Sequence, residues 1–285
     1  MARNKDRLGL GKDVESNDPI SPSAAMNSDG PLIFETPSEF VELPTKGRFY
    51  PQNHPLHNQE HVEIKHMTAR EEDILSSRSL LKKGVALDRF VQSVLKDKRI
   101  KVEDLYIGDR NAILIAARVT GYGEEYATQI TCPSCISVEK HSFDLDQRVL
   151  TEGAIAEDSD AEFTDTGTVT TRLPIFKVKV ELRLLTVKEE NYLSRLTNNK
   201  KDKNLPDTKL TDMLKMIIVS VEGKEDSATI ASLVDNLPAR DSKHLRDIYT
   251  KAIPNVSMRQ RFECSSCSYE GETEVPLNAE FFWPK

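Results

Sequence analysis

The chain has 285 residues, of which 39 are basic, 46 acidic and four cysteine, for a formal net charge of −7. That length fits one large or two small domains, and a hydrophobic share of 38% allows a packed core while leaving part of the chain outside it. The longest apolar run, Ala112 to Ala117, falls far short of the roughly 20 residues a membrane-spanning helix needs, no apolar stretch follows the basic start Met1-Ala-Arg-Asn-Lys-Asp-Arg7, and the acidic balance counts against a protein whose main task is neutralising phosphates.

Residues 1–31 are rich in Asn, Asp, Ser, Gly and Pro, with no periodic apolar face, and read as a disordered arm. A first globular part spans 32–150. In it Val62, Ile64 and His66 alternate with Glu63 and Lys65, the period of a half-buried strand. Thr68 and Glu71 then stand at capping-box spacing, with Met67 in the staple position before the cap. Helices are predicted over Asp73 to Ser79, Ala86 to Lys96 and Asp109 to Thr120, with Gly121 as the stop of the last. Strand-like runs, Tyr126 to Thr131 and Val138 to Phe143, flank the first Cys-x-x-Cys.

From Thr151 to Gly167 the carboxylates Glu152, Glu157, Asp158, Asp160, Glu162 and Asp165 meet no local basic residue, which reads as an acidic linker over 151–167. The second globular part, 168–285, repeats the order of signals in the first. Glu181-Leu-Arg-Leu-Leu-Thr-Val-Lys-Glu-Glu190 aligns with Glu63-Ile-Lys-His-Met-Thr-Ala-Arg-Glu-Glu72, four positions being identical and four chemically matched. Leu173-Pro174 precedes one segment and Leu43-Pro44 the other, and Thr186 with Glu189 forms a second capping box. Capping explains the paired glutamates without catalysis. Helices are predicted over Glu189 to Leu196, Lys209 to Val221, Ser227 to Asn236 and Arg240 to Lys251, with the Lys200 to Lys203 run as a solvated loop. Asp109 with Arg110 and Asp241 with Arg240 begin matching helices and are expected to form internal ion pairs.

All four cysteines fall in two Cys-x-x-Cys units, Cys132-Pro-Ser-Cys135 and Cys264-Ser-Ser-Cys267, the second between Met258 to Glu263 and Glu272 to Leu277. Each unit is predicted at the tip of a β-hairpin. Two such knuckles supply the four thiolates of a closed structural zinc site, and one zinc ion per chain is expected, held by Cys132, Cys135, Cys264 and Cys267. The 128 residues between Cys135 and Cys264 exceed the span of a local zinc finger. Duplication accounts for that span if the two tips meet about a pseudo-two-fold axis. Redox pairs, which need a helix start in a βαβ setting, and vestigial pairs without metal are the other readings. His54, His57, His61 and His66 cluster without helical spacing and read as a loop entering a strand. The fold class expected is α+β: two pseudo-symmetric repeats, each strand, helices and β-hairpin, joined by a four-cysteine zinc-knuckle pair.

Several motifs together resemble a known family. They are Leu43-Pro-Thr-Lys-Gly-Arg-Phe-Tyr50, Met67-Thr-Ala-Arg-Glu-Glu-Asp-Ile-Leu75, Ile107-Gly-Asp-Arg-Asn-Ala-Ile-Leu-Ile115, Thr120-Gly-Tyr-Gly123, Cys132-Pro-Ser-Cys135, Leu237-Pro-Ala-Arg-Asp-Ser242 and Ala279-Glu-Phe-Phe-Trp-Pro284. In this order they are similar to the baseplate hub proteins of T4-like contractile-tailed phages, over roughly residues 32 to 285. The resemblance implies a hub subunit of the tail baseplate or an assembly chaperone for it. Its partners would be other hub and tail proteins, and its location the host cytoplasm during assembly and the virion tail. Ile136 and Ser268 stand where a glycine often follows the second cysteine in that family.

No Ser/His/Asp set, phosphate-cradling loop or open metal site is visible, so an enzyme is not expected. A zinc-ribbon nucleic-acid-binding protein is the alternative function. It is disfavoured because Glu139, Glu263, Glu270, Glu272 and Glu274 offset Lys140, Arg259 and Arg261 near the knuckles. Phe281, Phe282 and Trp283 are candidate docking residues, or else fold back on their own domain.

Overall fold

The computed structural model describes residues 34–153, 161–164, 166–275, 277 and 279–282. The chain divides into a unit Met1–Pro37 and a unit Ser38–Lys285. Of the first unit only residues 34–37 are described, exposed and without regular secondary structure. The expected arm over 1–31 lies outside the described residues, as do 154–160 and Asp165 of the acidic stretch, and Trp283.

In the second unit β1 (Ser38–Glu42) and β2 (His61–Lys65) form an antiparallel pair with Val41 opposite Val62. Val62 and Ile64 are buried on one face, the alternation a half-buried strand requires. The chain then enters α1 (Ala69–Ser76) through the capping box: the Thr68 N–H and hydroxyl donate to Glu71 Oε2 at 3.1 and 2.6 Å. At Ser77 the backbone leaves helical geometry (ψ 105°), so the helix expected over 73–79 is two pieces, α1 and α2 (Arg78–Lys82). Next, α3 (Ala86–Val94) buries Phe90, Val91 and Val94, and Leu95 turns out of the helix to bridge to Ile64.

Following a 3-10 turn at Val102–Asp104 comes α4 (Ile107–Tyr122), which buries Ile113, Leu114, Ile115 and Ala117. Gly121 does not stop it, contrary to expectation. The helix runs on to Tyr122 and ends at Gly123, whose φ of 84° suits glycine. A Cβ at Gly121 would lie 2.4 Å from Met67 Cε, so this glycine makes room for the side chain that precedes the α1 cap. The strands β3 (Glu125–Thr131) and β4 (Val138–Asp144) form the first cysteine hairpin, and β5 (Val149–Thr151) follows.

Next, β6 (Ala161–Phe163), β7 (Val169–Arg172) and β8 (Lys179–Leu182) pair antiparallel in sequence. The second capping box opens α5 (Val187–Asp202): the Thr186 N–H donates to Glu189 Oε2 at 2.7 Å, and its hydroxyl bonds the same oxygen. This helix is longer than the predicted Glu189 to Leu196 and takes in Lys200 and Lys201, which were expected in a loop. Positive charge is favourable in the last turn, and Lys200 also pairs with Asp212 at 2.5 Å. The helix expected over 209–221 is α6 (Lys209–Ile217) followed by β9 (Ile218–Val221). The β-branched Ile218, Val219 and Val221 favour a strand, and β9 completes a four-stranded sheet in the order β6-β7-β8-β9. After α7 (Ser227–Asp235) and α8 (Ala239–Ala252), β10 (Asn255–Ser257) returns to pair with β5, Val256 opposite Leu150. The second cysteine hairpin is β11 (Arg259–Glu263) with β12 (Glu270–Glu274).

Certain contacts occur once in each half. Lys65 Nζ pairs with Glu71 at 2.8 Å, and Arg183 Nη1 with Glu189 at 3.3 Å. Fully buried Asp109, near the start of α4, accepts from the Thr45 N–H (3.1 Å), the Thr45 hydroxyl (2.7 Å) and the Tyr50 hydroxyl (2.7 Å), all in the turn after Leu43-Pro44. Fully buried Asp241, near the start of α8, accepts from the Ile175 and Phe176 N–H groups (2.7 and 3.0 Å), in the turn after Leu173-Pro174. The ion pairs expected of these aspartates do not form. Each instead satisfies turn donors that have no strand partner, as buried N–H groups must be satisfied. Arg110 does cross between the halves, to Glu190 at 2.5 Å with Asp88 at 3.8 Å.

Of the C-terminal aromatics, Phe281 and Phe282 fold back. Both are buried in the same core as Val41, Leu75, Phe90 and Ile113. The buried Arg118 holds them: its guanidinium donates to the carbonyls of Phe281 (3.1 Å), Gly123 (2.9 Å) and Glu125 (3.2 Å) and lies against the Tyr122 ring. Those neutral acceptors leave its charge unpaired, and burial lowers its pKa.

Candidate metal centre

Each cysteine pair sits at a hairpin tip built in the same way. The Cys132 N–H bonds the Ser137 carbonyl (2.8 Å) and the Ile136 N–H bonds the Cys132 carbonyl (3.0 Å). Correspondingly, the Cys264 N–H bonds the Tyr269 carbonyl and the Ser268 N–H the Cys264 carbonyl, both at 2.9 Å. Closing such a turn drives the residue after the second cysteine to positive φ, 63° at Ile136 and 55° at Ser268. These are the two positions where glycine is missing, and the turns form without it.

The structure brings all four predicted cysteines together, with every Sγ within 4.8 Å of the others. The shortest approaches cross between hairpins: Cys132 to Cys267 at 3.8 Å and Cys135 to Cys264 at 3.6 Å. Four sulfurs bonded tetrahedrally at about 2.3 Å stand about 3.8 Å apart, so the donor set fits a tetrahedral metal ion. Cys132 and Cys264 are buried beside Phe262, whereas Cys135 and Cys267 are exposed. Their acidities diverge. The Ser137 hydroxyl brings the Cys135 thiol down to about 6. At Cys267 the Tyr269 amide works against burial and the neighbouring thiols, which push it up to about 12. Thiols this close resist sharing negative charge, and a cation at their centre removes that conflict.

One residue the sequence did not signal ties the tips together. Glu139, on β4, accepts from the Ser265 N–H (2.8 Å), the Ser266 N–H (3.1 Å) and the Ser266 hydroxyl (2.9 Å) of the opposite hairpin. These bonds, the Ser265 amide foremost, hold its carboxyl down at about 2. No local pattern reveals a contact made 126 positions away.

The histidines are not gathered. His54 stacks on Tyr50 (centroids 4.4 Å apart) and His57 Nδ1 lies 2.7 Å from the Tyr50 carbonyl, both structural contacts. Among the described residues the four cysteines are the one group of metal-ligating side chains. No described helix is long and apolar enough to cross a membrane.

A closed four-sulfur donor set leaves no open coordination position, the arrangement found in structural rather than catalytic zinc sites. The chain belongs to the T4 bacteriophage base plate protein family, whose model matches residues 39–283. It is a phage baseplate protein of mixed helix and strand. Among curated proteins and among solved structures no significant match is found.

Proposed function

We propose that this chain acts in the hub of the tail baseplate, as a hub subunit or as a hub assembly protein made in the host cytoplasm, through contacts with other hub and tail proteins. In this reading it has no catalytic role, and its two halves are copies of one ancestral unit stapled by a single zinc ion on Cys132, Cys135, Cys264 and Cys267. The boundaries proposed are an arm over 1–31, repeats over 32–150 and 168–285, and the acidic connection over 151–167. The observation that carries the reading is the meeting of one Cys-x-x-Cys from each half inside a baseplate-family chain. The paired capping boxes and the paired aspartate-held turns support the duplication.

Metal analysis of the purified protein is expected to give one zinc per chain, and none or two would overturn the staple. Mass spectrometry of isolated hub subassemblies and virions is expected to find the chain in one or both, and its absence from both would overturn the hub role. Nucleic-acid binding is disfavoured at the knuckles, where Arg261 pairs with Glu270 at 2.5 Å and Arg259 with Glu274 at 3.8 Å. Retention on DNA with a steep salt dependence would reverse that judgement.

A further inference from the structure

A cleft of about 650 Å³ runs between α3 with the 3-10 turn on one side and α5 on the other. That is the volume of an ordinary ligand pocket, lined by charged and polar side chains together with Val85 and Val102. On α5 the positions facing it are Asn191, Ser194, Arg195 and Asn198, spaced as one helix face with no apolar residue. The two helices therefore have no apolar stripe with which to close on each other here. Four cations line the gap, Lys83, Arg89, Lys101 and Arg195, against two carboxylates, Asp88 and Glu103. Asp88 is already engaged, by the Asn191 amide at 2.7 Å and by Arg110 at 3.8 Å. None of the four cations takes part in an ion pair among the described residues. A cationic cleft has thus been kept open on a chain whose net charge is −7.

We propose that this cleft binds an acidic polypeptide segment, rich in Asp and Glu, of a partner protein. The proposal deepens the reading of the chain as a protein acting through contacts. Carboxylates of the segment meet Lys83, Arg89, Lys101 and Arg195, and the side chains of Ser194 and Asn198 are placed to bond its backbone. A long nucleic acid feels the repulsion of the whole acidic molecule, whereas a short peptide feels chiefly the charges within about one Debye length, ~8–10 Å. That difference favours the peptide.

The test is titration of the full-length protein with a fluorescent hexaglutamate peptide at low ionic strength, in parallel with hexalysine, inorganic phosphate and a short single-stranded DNA. Hexaglutamate is expected to bind, to weaken with salt, and to lose roughly tenfold or more in affinity in R89E/R195E, with no binding of hexalysine. Arg89 and Arg195 are exposed, so the variant is expected to melt like the parent; if it does not, K83A/K101A takes its place. Equal hexaglutamate binding by parent and variant would overturn the proposal. So would displacement of the peptide by an equal concentration of phosphate, which would leave only a general anion site. Tighter DNA binding abolished by R89E/R195E would assign the cleft to nucleic acid instead. Failure here would leave the hub reading standing, because the composition of hubs and virions tests that separately.

Discussion

Ile136 holds a backbone conformation that a β-branched residue seldom adopts, while its side chain remains 77% exposed. Ile136→Gly removes that strain at some cost in unfolded-state entropy and is expected to raise stability by about 1 kcal/mol, read as a higher melting temperature. The cysteines offer a sharper contrast. If they mattered only through packing, serine would be costly at buried Cys132 and nearly neutral at exposed Cys135. With a shared metal both replacements remove a ligand, so both are expected to cost about 3 kcal/mol or more and to lower zinc content. A neutral Cys135→Ser would argue against the staple. The cysteine cluster was legible in the sequence because cysteine is rare here and its spacing is a chemical signature. Glu139 and Arg118 were not, since each is defined by bonds to residues distant in the chain or by backbone carbonyls, which leave no trace in composition.

Glu71 sets the acid limit of the join between β2 and α1. Burial raises its pKa, but bonds from Lys65, Ser93 and Thr68 outweigh this and hold it down at about 2 against an ordinary 4.5. A depressed carboxyl stabilises the fold fully above its unfolded pKa and loses that contribution as pH falls. Stability is therefore expected to decline between about pH 4.5 and 2, and a pH series of melts should show the decline reduced in Glu71→Gln. Strands and capped helix starts were readable because alternation and capping chemistry are local. Helix ends were less so. Gly121 looked like a stop but serves as a seat for Met67, and Ile218 to Val221 reads as helix until β8 offers its edge. In both cases a tertiary partner decided what local preference left undecided.

Across the whole molecule, residues 38–150 and 166–282 meet at more than the cysteine cluster. Strand β5 pairs with β10, and the core around Phe90 and Ile113 is completed by Val256, Met258, Phe281 and Phe282. A fragment of residues 32–150 is therefore expected to lack a cooperative melt and native chemical-shift dispersion, even with zinc. A folded, cooperative fragment would show the halves to be independent domains. The closure of one core by residues from both ends of the chain was not visible in the sequence, because apolar residues do not announce which partners they will meet.

The separation of Cys135 from Cys264 by 129 positions also sets an order in time. At translation rates of roughly 5–20 residues per second, the first hairpin waits on the order of ten seconds before its counterpart is made. During that interval Cys132 and Cys135 stand without Cys264 and Cys267, and the core still lacks Phe281 and Phe282. A ribosome that stops early thus releases a chain with neither its centre nor its core closed.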